Sequence, residues 1–139
     1  MGTRADFYVG RGKSAEWIGS VAWDGYPDGF DRDGLFNATT EQQFREAVVA
    51  EIASRKDGTT PADGWPWPWD DSTTTDYAYA FDGGKVYGTY SGHWFDAATA
   101  ADGGDTEIAA DETPVEWPNM ADKKAVTFGA RSGIIIVGA

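Results

Sequence analysis

Gly10-Arg11-Gly12-Lys13-Ser14 has the chemistry of a phosphate cradle, with glycines for close backbone approach, a lysine for charge and a hydroxyl. The spacing argues against that use. A phosphate-binding loop needs a glycine five residues before its second glycine, where this chain has Phe7. Glu16-Trp17-Ile18-Gly19 is also a poor helix start, and the helix supplies the dipole and amides that hold the anion. A turn at the end of a strand accounts for the motif.

Asp24, Asp28, Asp31 and Asp33 offer oxygens to a hard cation. The calcium helix-loop-helix spacing fails, because counting back from Gly34 puts Gly29 at the first ligand position. Asp24, Asp28 and Asp33 each precede glycine, which is turn chemistry. His93 is the only histidine, too few for a multi-histidine metal site. Ser91, His93 and Asp96 have the types of a hydrolytic triad. On one strand, however, Ser91 and His93 stand two strand steps apart on the same face, and nothing marks a nucleophile elbow. Asp70-Asp71 has the types for acid-base work on sugars, but among 23 acids such a pair arises by chance. There is no cysteine, hence no disulfide and no thiolate. The expectation is no enzyme, no catalytic residue, no metal and no cofactor.

Trp65, Trp67 and Trp69 alternate with Pro66 and Pro68, in extended chain that neither helix nor ladder accepts. With Tyr87 they compose a stacking platform for a sugar or a nucleotide signal. An anionic nucleotide would also need cations, and Arg11, Lys13 and Arg131 are the candidates. The opposing reading turns the tryptophans inward, since so short a chain needs its largest apolar groups in the core.

The elements that would carry these residues are legible. Thr40 is a helix N-cap with Gln43 at the capping-box position, and Phe44, Ala47, Val48 and Ile52 make one apolar face. This predicts one amphipathic helix over about 41–56, stopped at Gly58. Asp6–Val9 and Glu16–Trp23 read as strands, with Trp17, Gly19, Val21 and Trp23 on one face. Residues 75–82 alternate aromatic and alanine, and Gly83-Gly84 turns them into 85–91. That register pairs Phe81 with Val86, Ala80 with Tyr87, Tyr79 with Gly88 and Tyr77 with Tyr90, with a ring lying over Gly88. Val115–Trp117 reads as a short strand, and 125–128 with 133–137 as a terminal hairpin. The stretch 96–112 reads as a mobile acidic loop. The fold class is α+β: one globular domain over 1–139, with the helix packed on one face of an antiparallel sheet.

Charge dominates the rest. The chain has 23 Asp and Glu against 11 Lys and Arg, a net of -12. Such a surface disfavours direct binding to nucleic acid or to an anionic membrane and favours a basic protein surface. Seven of the sixteen aspartates precede glycine and belong to turns. The remaining acids concentrate in 86–122, where Lys and Arg are missing, and at Asp70-Asp71. Asp70, Asp71, Asp76, Asp96, Asp105, Glu107, Asp111 and Glu112 are therefore the candidate partner-binding residues.

The strings Arg4 to Gly12, Glu16 to Ser20, Trp65 to Ser72 and Thr75 to Phe81 resemble small uncharacterised proteins of bacterial phages and prophages. The resemblance covers most of the chain and carries no catalytic residue with it. It implies an accessory, anti-defence role of the anti-CRISPR type. The expected function is then a non-enzymatic inhibitor that binds a basic surface of a defence complex and blocks nucleic-acid binding or nuclease recruitment. The alternative is a small-ligand-binding domain using the aromatic platform. Met1–Tyr8 lacks the apolar core of a signal peptide and Ile134–Val137 is too short to span a membrane, so the expected place is the host cytoplasm.

Overall fold

Six strands are hydrogen-bonded side by side: β1 (Ala5–Val9), β2 (Glu16–Val21), β3 (Gly58–Thr59), β4 (Tyr77–Asp82), β5 (Lys85–Tyr90) and β6 (His93–Asp96). Their order across the sheet is β3-β2-β1-β4-β5-β6. The computed structural model describes residues 2–30, 34–101 and 113–124. With one main helix against the sheet, the fold is α+β, as the patterning requires. The sheet is mixed rather than wholly antiparallel, because its two central strands, β1 and β4, run parallel. Parallel neighbours need a long crossover, and everything from Gly10 to Asp76 lies between them.

The β4–β5 hairpin forms in the expected register, with Phe81 opposite Val86, Ala80 opposite Tyr87 and Tyr79 opposite Gly88. Gly83 and Gly84 both have positive φ, +61° and +88°, which side chains resist and a tight hairpin turn needs. Tyr77 stacks on Tyr90 at 4.9 Å. The ring over Gly88 is that of Phe95 in β6 rather than Tyr79: a Cβ on Gly88 would lie 2.4 Å from Phe95 Cζ.

Alternation splits the chain between two cores. Phe7, Tyr79 and Phe81 face the helix side with Phe44, Val48 and Ile52, while Tyr8, Ala78 and Ala80 face a layer of tryptophans. A bulge breaks the phase of β2. Phe7 pairs with Gly19 but Tyr8 pairs with Trp17, leaving Ile18 as the extra residue. Trp17 therefore joins the tryptophan layer, while Gly19 and Val21 stay under the helix, so the single face expected for this strand does not exist.

The helix α1 spans Glu41–Ala53 and has the full capping box between Thr40 and Gln43. It ends before the expected 56, because the chain leaves at Ser54, and Gly58 opens β3 instead of capping the helix. A second helix, α2 (Ala97–Ala101), occupies the start of the expected acidic loop; its remainder, 102–112, lies outside the described residues. Asp96 Oδ1 accepts the Thr99 amide at the α2 start (3.1 Å).

The tryptophan face is covered by two segments of little regular structure, 60–76 and 113–124. Trp65 N donates to Lys123 O (2.8 Å) and Met120 N to Asp70 O (2.6 Å), tying them together. Val115–Trp117 is not a strand. It crosses this face and seats Trp117 on Tyr8 at 4.5 Å. The expected terminal hairpin lies outside the described residues. Among these, no helix is long and apolar enough to cross a membrane.

Candidate functional site

The platform proposed from the tryptophans is turned inward. Trp65 is 1% exposed and Trp67 9%, and each indole N–H is satisfied internally. Trp65 Nε1 donates to Trp69 O (2.7 Å), Trp67 Nε1 to Asp6 Oδ1 (2.7 Å) and Trp69 Nε1 to Thr75 Oγ1 (2.8 Å). Trp69 is half-buried and stacks on Trp67, with the Arg4 guanidinium over both rings. Tyr87 holds the Arg11 guanidinium 3.7 Å from its ring centre. Arg11 also donates to Asp82 (3.1 Å), and Lys13 lies exposed in the β1–β2 turn; Arg131 lies outside the described residues. Trp65, Trp67 and Tyr87 thus have their stacking surface used by the protein itself.

The inward turn is organised by Asp6, which is fully buried. Its Oδ1 accepts from Ser20 Oγ (2.6 Å) and Trp67 Nε1 (2.7 Å), and its Oδ2 from Ser72 Oγ (2.6 Å). Tyr8 OH lies 2.7 Å from the same Ser72 hydroxyl. Burial pushes the Asp6 carboxyl up, against these donors. The group ties the central strand to the covering segment and has no access to a substrate.

The candidate acids sit in separate places. Asp70 Oδ1 pairs with Lys124 (2.8 Å) on the tryptophan-side cover, and Asp71 Oδ1 caps the turn Ser72–Thr74 through Thr73 N (2.9 Å). Asp76 Oδ2 accepts the Arg4 amide (2.8 Å) just before β4. Asp96 pairs with Lys85 (2.8 Å). Burial pushes the Asp96 carboxyl up, but Lys85 and the Thr99 and Ala98 amides outweigh it and hold it below the ordinary range. Asp105, Glu107, Asp111 and Glu112 lie outside the described residues.

The residues with catalytic types do not converge. Ser91 occupies the β5–β6 turn with φ +52°, and His93 opens the edge strand exposed to solvent. Gly10–Ser14 is a turn between two strands, with Gly10 N bonded to Phe81 O (2.7 Å) and no helix following. Among the described residues, no group of three or more His, Asp or Glu is placed to hold a metal ion.

One region was not visible in the spacing. Val21, Ala5 and Tyr77 are neighbours in adjacent strands, so one end of the sheet gathers the exit of β2, the entry of β1 and β4 and the exit of β5. Among the described residues, three of the four exposed large hydrophobic side chains stand at this end: Trp23 (49%), Tyr26 (38%) and Tyr90 (52%). Trp23 lines an open cleft of about 560 Å³ with Asp24, Ser54, Arg55 and Lys56. Asp57 holds two of the lining residues, Trp23 and Arg55, from beneath. Its side chain is fully buried and accepts the amides of Ala22 and Trp23 (both 2.9 Å) and Arg55 Nε (2.7 Å). Burial raises the Asp57 carboxyl, but Arg55 and the two amides outweigh it and hold it below its ordinary value. Arg55 also reaches Glu51 (3.0 Å) and the Trp23 carbonyl. Tyr26 donates to Asp24 Oδ1 (3.1 Å), and this bond and the carboxylate's charge raise the Tyr26 hydroxyl above its usual range.

The outward aromatics could have been suspected from Trp23-Asp24-Gly25-Tyr26-Pro27, where two rings fall in a turn with few neighbours to bury them. No protein-family model, curated protein or solved structure matches the chain.

Proposed function

We propose that the chain is a non-enzymatic acidic binding protein that docks on a basic protein surface. In line with its resemblance to phage proteins, the target is a bacterial defence complex whose nucleic-acid-binding or nuclease-recruiting surface it occupies. One observation carries the reading: the protein neutralises its own positive charge. Of the nine Lys and Arg among the described residues, Arg4, Arg11, Arg45, Arg55, Lys85 and Lys124 are each in an ion pair with an acid of the same chain. Little cationic surface is left to repel a basic partner, while Asp24, Asp28, Glu46, Asp63, Glu116 and Asp122 stand exposed. Such a field accelerates encounter with a positive groove and makes it salt-sensitive.

The small-ligand alternative needs the platform that Trp65 and Trp67 do not present. The test is binding to purified nucleic-acid-guided defence complexes, measured at low and high salt. Expected is an association that weakens steeply as salt rises and competes with the complex's own nucleic acid. Absence of binding to every complex at low salt overturns the proposal.

A further inference from the structure

We infer that the sheet end carrying Trp23, Tyr26 and Tyr90 is the docking surface, and that its occupant is an arginine- or lysine-bearing protein segment. This rests on the acidic-binder reading and locates it. Single exposed rings are ordinary on a protein surface. Here three stand at one end of one sheet, and all on its helix side. Trp23 lines the cleft beside Ser54, Arg55 and Lys56, just past α1. Tyr26 begins the loop whose Gly25 carbonyl accepts Tyr79 OH (2.7 Å) and whose turn Pro27–Gly29 packs on α2. Tyr90 lies on Tyr77, a member of the helix-side core rim.

The dimensions suit a short extended segment. Tyr90 ends β5 and Trp23 follows β2, three strand intervals apart, which is about 15 Å at the usual sheet spacing. Roughly five residues of extended chain cover that distance. The surface is also prepared for binding. Gly25 N is tied to Thr3 O (2.9 Å), and the Trp23 amide is tied to a buried carboxylate. The loop bearing two of the rings is therefore held before any partner arrives, which lowers the ordering cost of association.

Charge complementarity chooses the occupant. Asp24 and Asp28 are exposed beside the rings. Arg55 is spent on Glu51 and Asp57. Lys56 is the one exposed lysine lining the cleft, and Arg4 is drawn onto Asp76 and the Trp67 and Trp69 rings on the opposite face. Aromatic faces rimmed by carboxylates favour guanidinium and ammonium groups, which stack on the ring and bond the acid together. Exposed tryptophan and tyrosine are also the side chains that most often anchor protein interfaces.

The test uses the full chain, labelled with ¹⁵N and titrated with an oligo-arginine peptide at low salt, with oligo-glutamate as the control. The expected result is movement of the Trp23 indole and of the amides of 23–26 and Tyr90, with none in oligo-glutamate. The double variant Trp23→Ala, Tyr90→Ala removes two exposed rings and should fold. It should bind at least about tenfold more weakly, whereas Val49→Ala, which removes the exposed large side chain that lies away from this end and leaves the charge unchanged, should bind as the parent does. Shifts confined to the 68–72 segment, with affinity unchanged in the aromatic variant, overturn the docking surface while leaving the acidic-binder reading intact. Movement of the Trp23 and Tyr90 signals with protein concentration alone makes this face a contact between copies and also overturns it. No binding at low salt overturns both.

Discussion

Replacing Asp6 tests whether the buried carboxylate is the tie that turns the tryptophan segment inward. Asp6→Ala removes the acceptor of three donors. Ser72 has only a partial rescue, because its hydroxyl can donate to Tyr8 OH at 2.7 Å but then strands the Tyr8 proton. Trp67 Nε1 and the Ser20 proton have none among these contacts. Three stranded donors at about 1–3 kcal/mol each give a loss on the order of 6 kcal/mol. Asp6→Asn is the informative control. Its oxygen serves Ser20 and Trp67, and its amide donates to Ser72 Oγ, which displaces one hydroxyl proton of the Ser72–Tyr8 pair. One stranded proton costs about 1–3 kcal/mol, so stability should fall in the order parent, Asp6→Asn, Asp6→Ala.

The pH dependence separates this account from simple packing. Burial raises the Asp6 carboxyl in the folded state above its ordinary value of 3.8. A raised acid contributes stability that is fully present below the unfolded value and is lost as pH climbs through the folded one. The Asn variant has no such group, so the advantage of the parent over Asp6→Asn should shrink from pH 4 upward. Urea titrations followed by tryptophan emission, repeated across that range, measure the difference; other acids cancel in the subtraction. Asp6→Ala within about 0.5 kcal/mol of the parent, which is the scatter of neutral surface changes, would refute the keystone role. A parent-to-Asn gap that widens with pH would show that the donors, not burial, win at this carboxyl.

Four further outcomes follow from local geometry. Gly88→Ala should cost about 1–3 kcal/mol, because the Phe95 ring occupies the space of the new methyl; thermal unfolding reads it. Thr40→Ala should cost about 1 kcal/mol through loss of the capping box, visible in the urea midpoint with the slope unchanged. Asp57→Ala removes a buried partner of Arg55 and of two backbone amides, so a loss of about 3 kcal/mol is expected. Asp57 lies below its ordinary value when folded, so its stabilisation is complete above 3.8 and disappears as pH falls through the folded value; Asp57→Asn should flatten that acid limb in pH-dependent urea titrations.

What could be read before the fold was known was local. The hairpin declared itself because aromatic and alanine alternate through 77–81 and Gly83-Gly84 permits only a tight turn. The helix did so because Thr40, Gln43 and the apolar spacing agree. The inward tryptophans followed from size alone. Non-local contacts decided the rest. The parallel pairing of β1 with β4 joins segments about seventy residues apart, and no residue in either strand encodes its direction. The bulge at Ile18 shows only against β1, and it put Trp17 and Val21 on opposite faces.

The candidate site was hidden because its organising aspartate carries the Asp-Gly signature of a turn. Asp57 precedes a glycine and looks like turn chemistry, yet it is a buried clamp holding the amides of Ala22 and Trp23 from 35 and 34 residues away. That clamp fixes the chain as it leaves β2, with the Trp23 ring outside the core. Asp6 does the reverse, drawing the Trp67 indole inside. Two interior carboxylates thus sort aromatic side chains into those that build the core and those left outside it. The excess of acid in this chain is therefore partly an internal device, which the net charge by itself does not reveal.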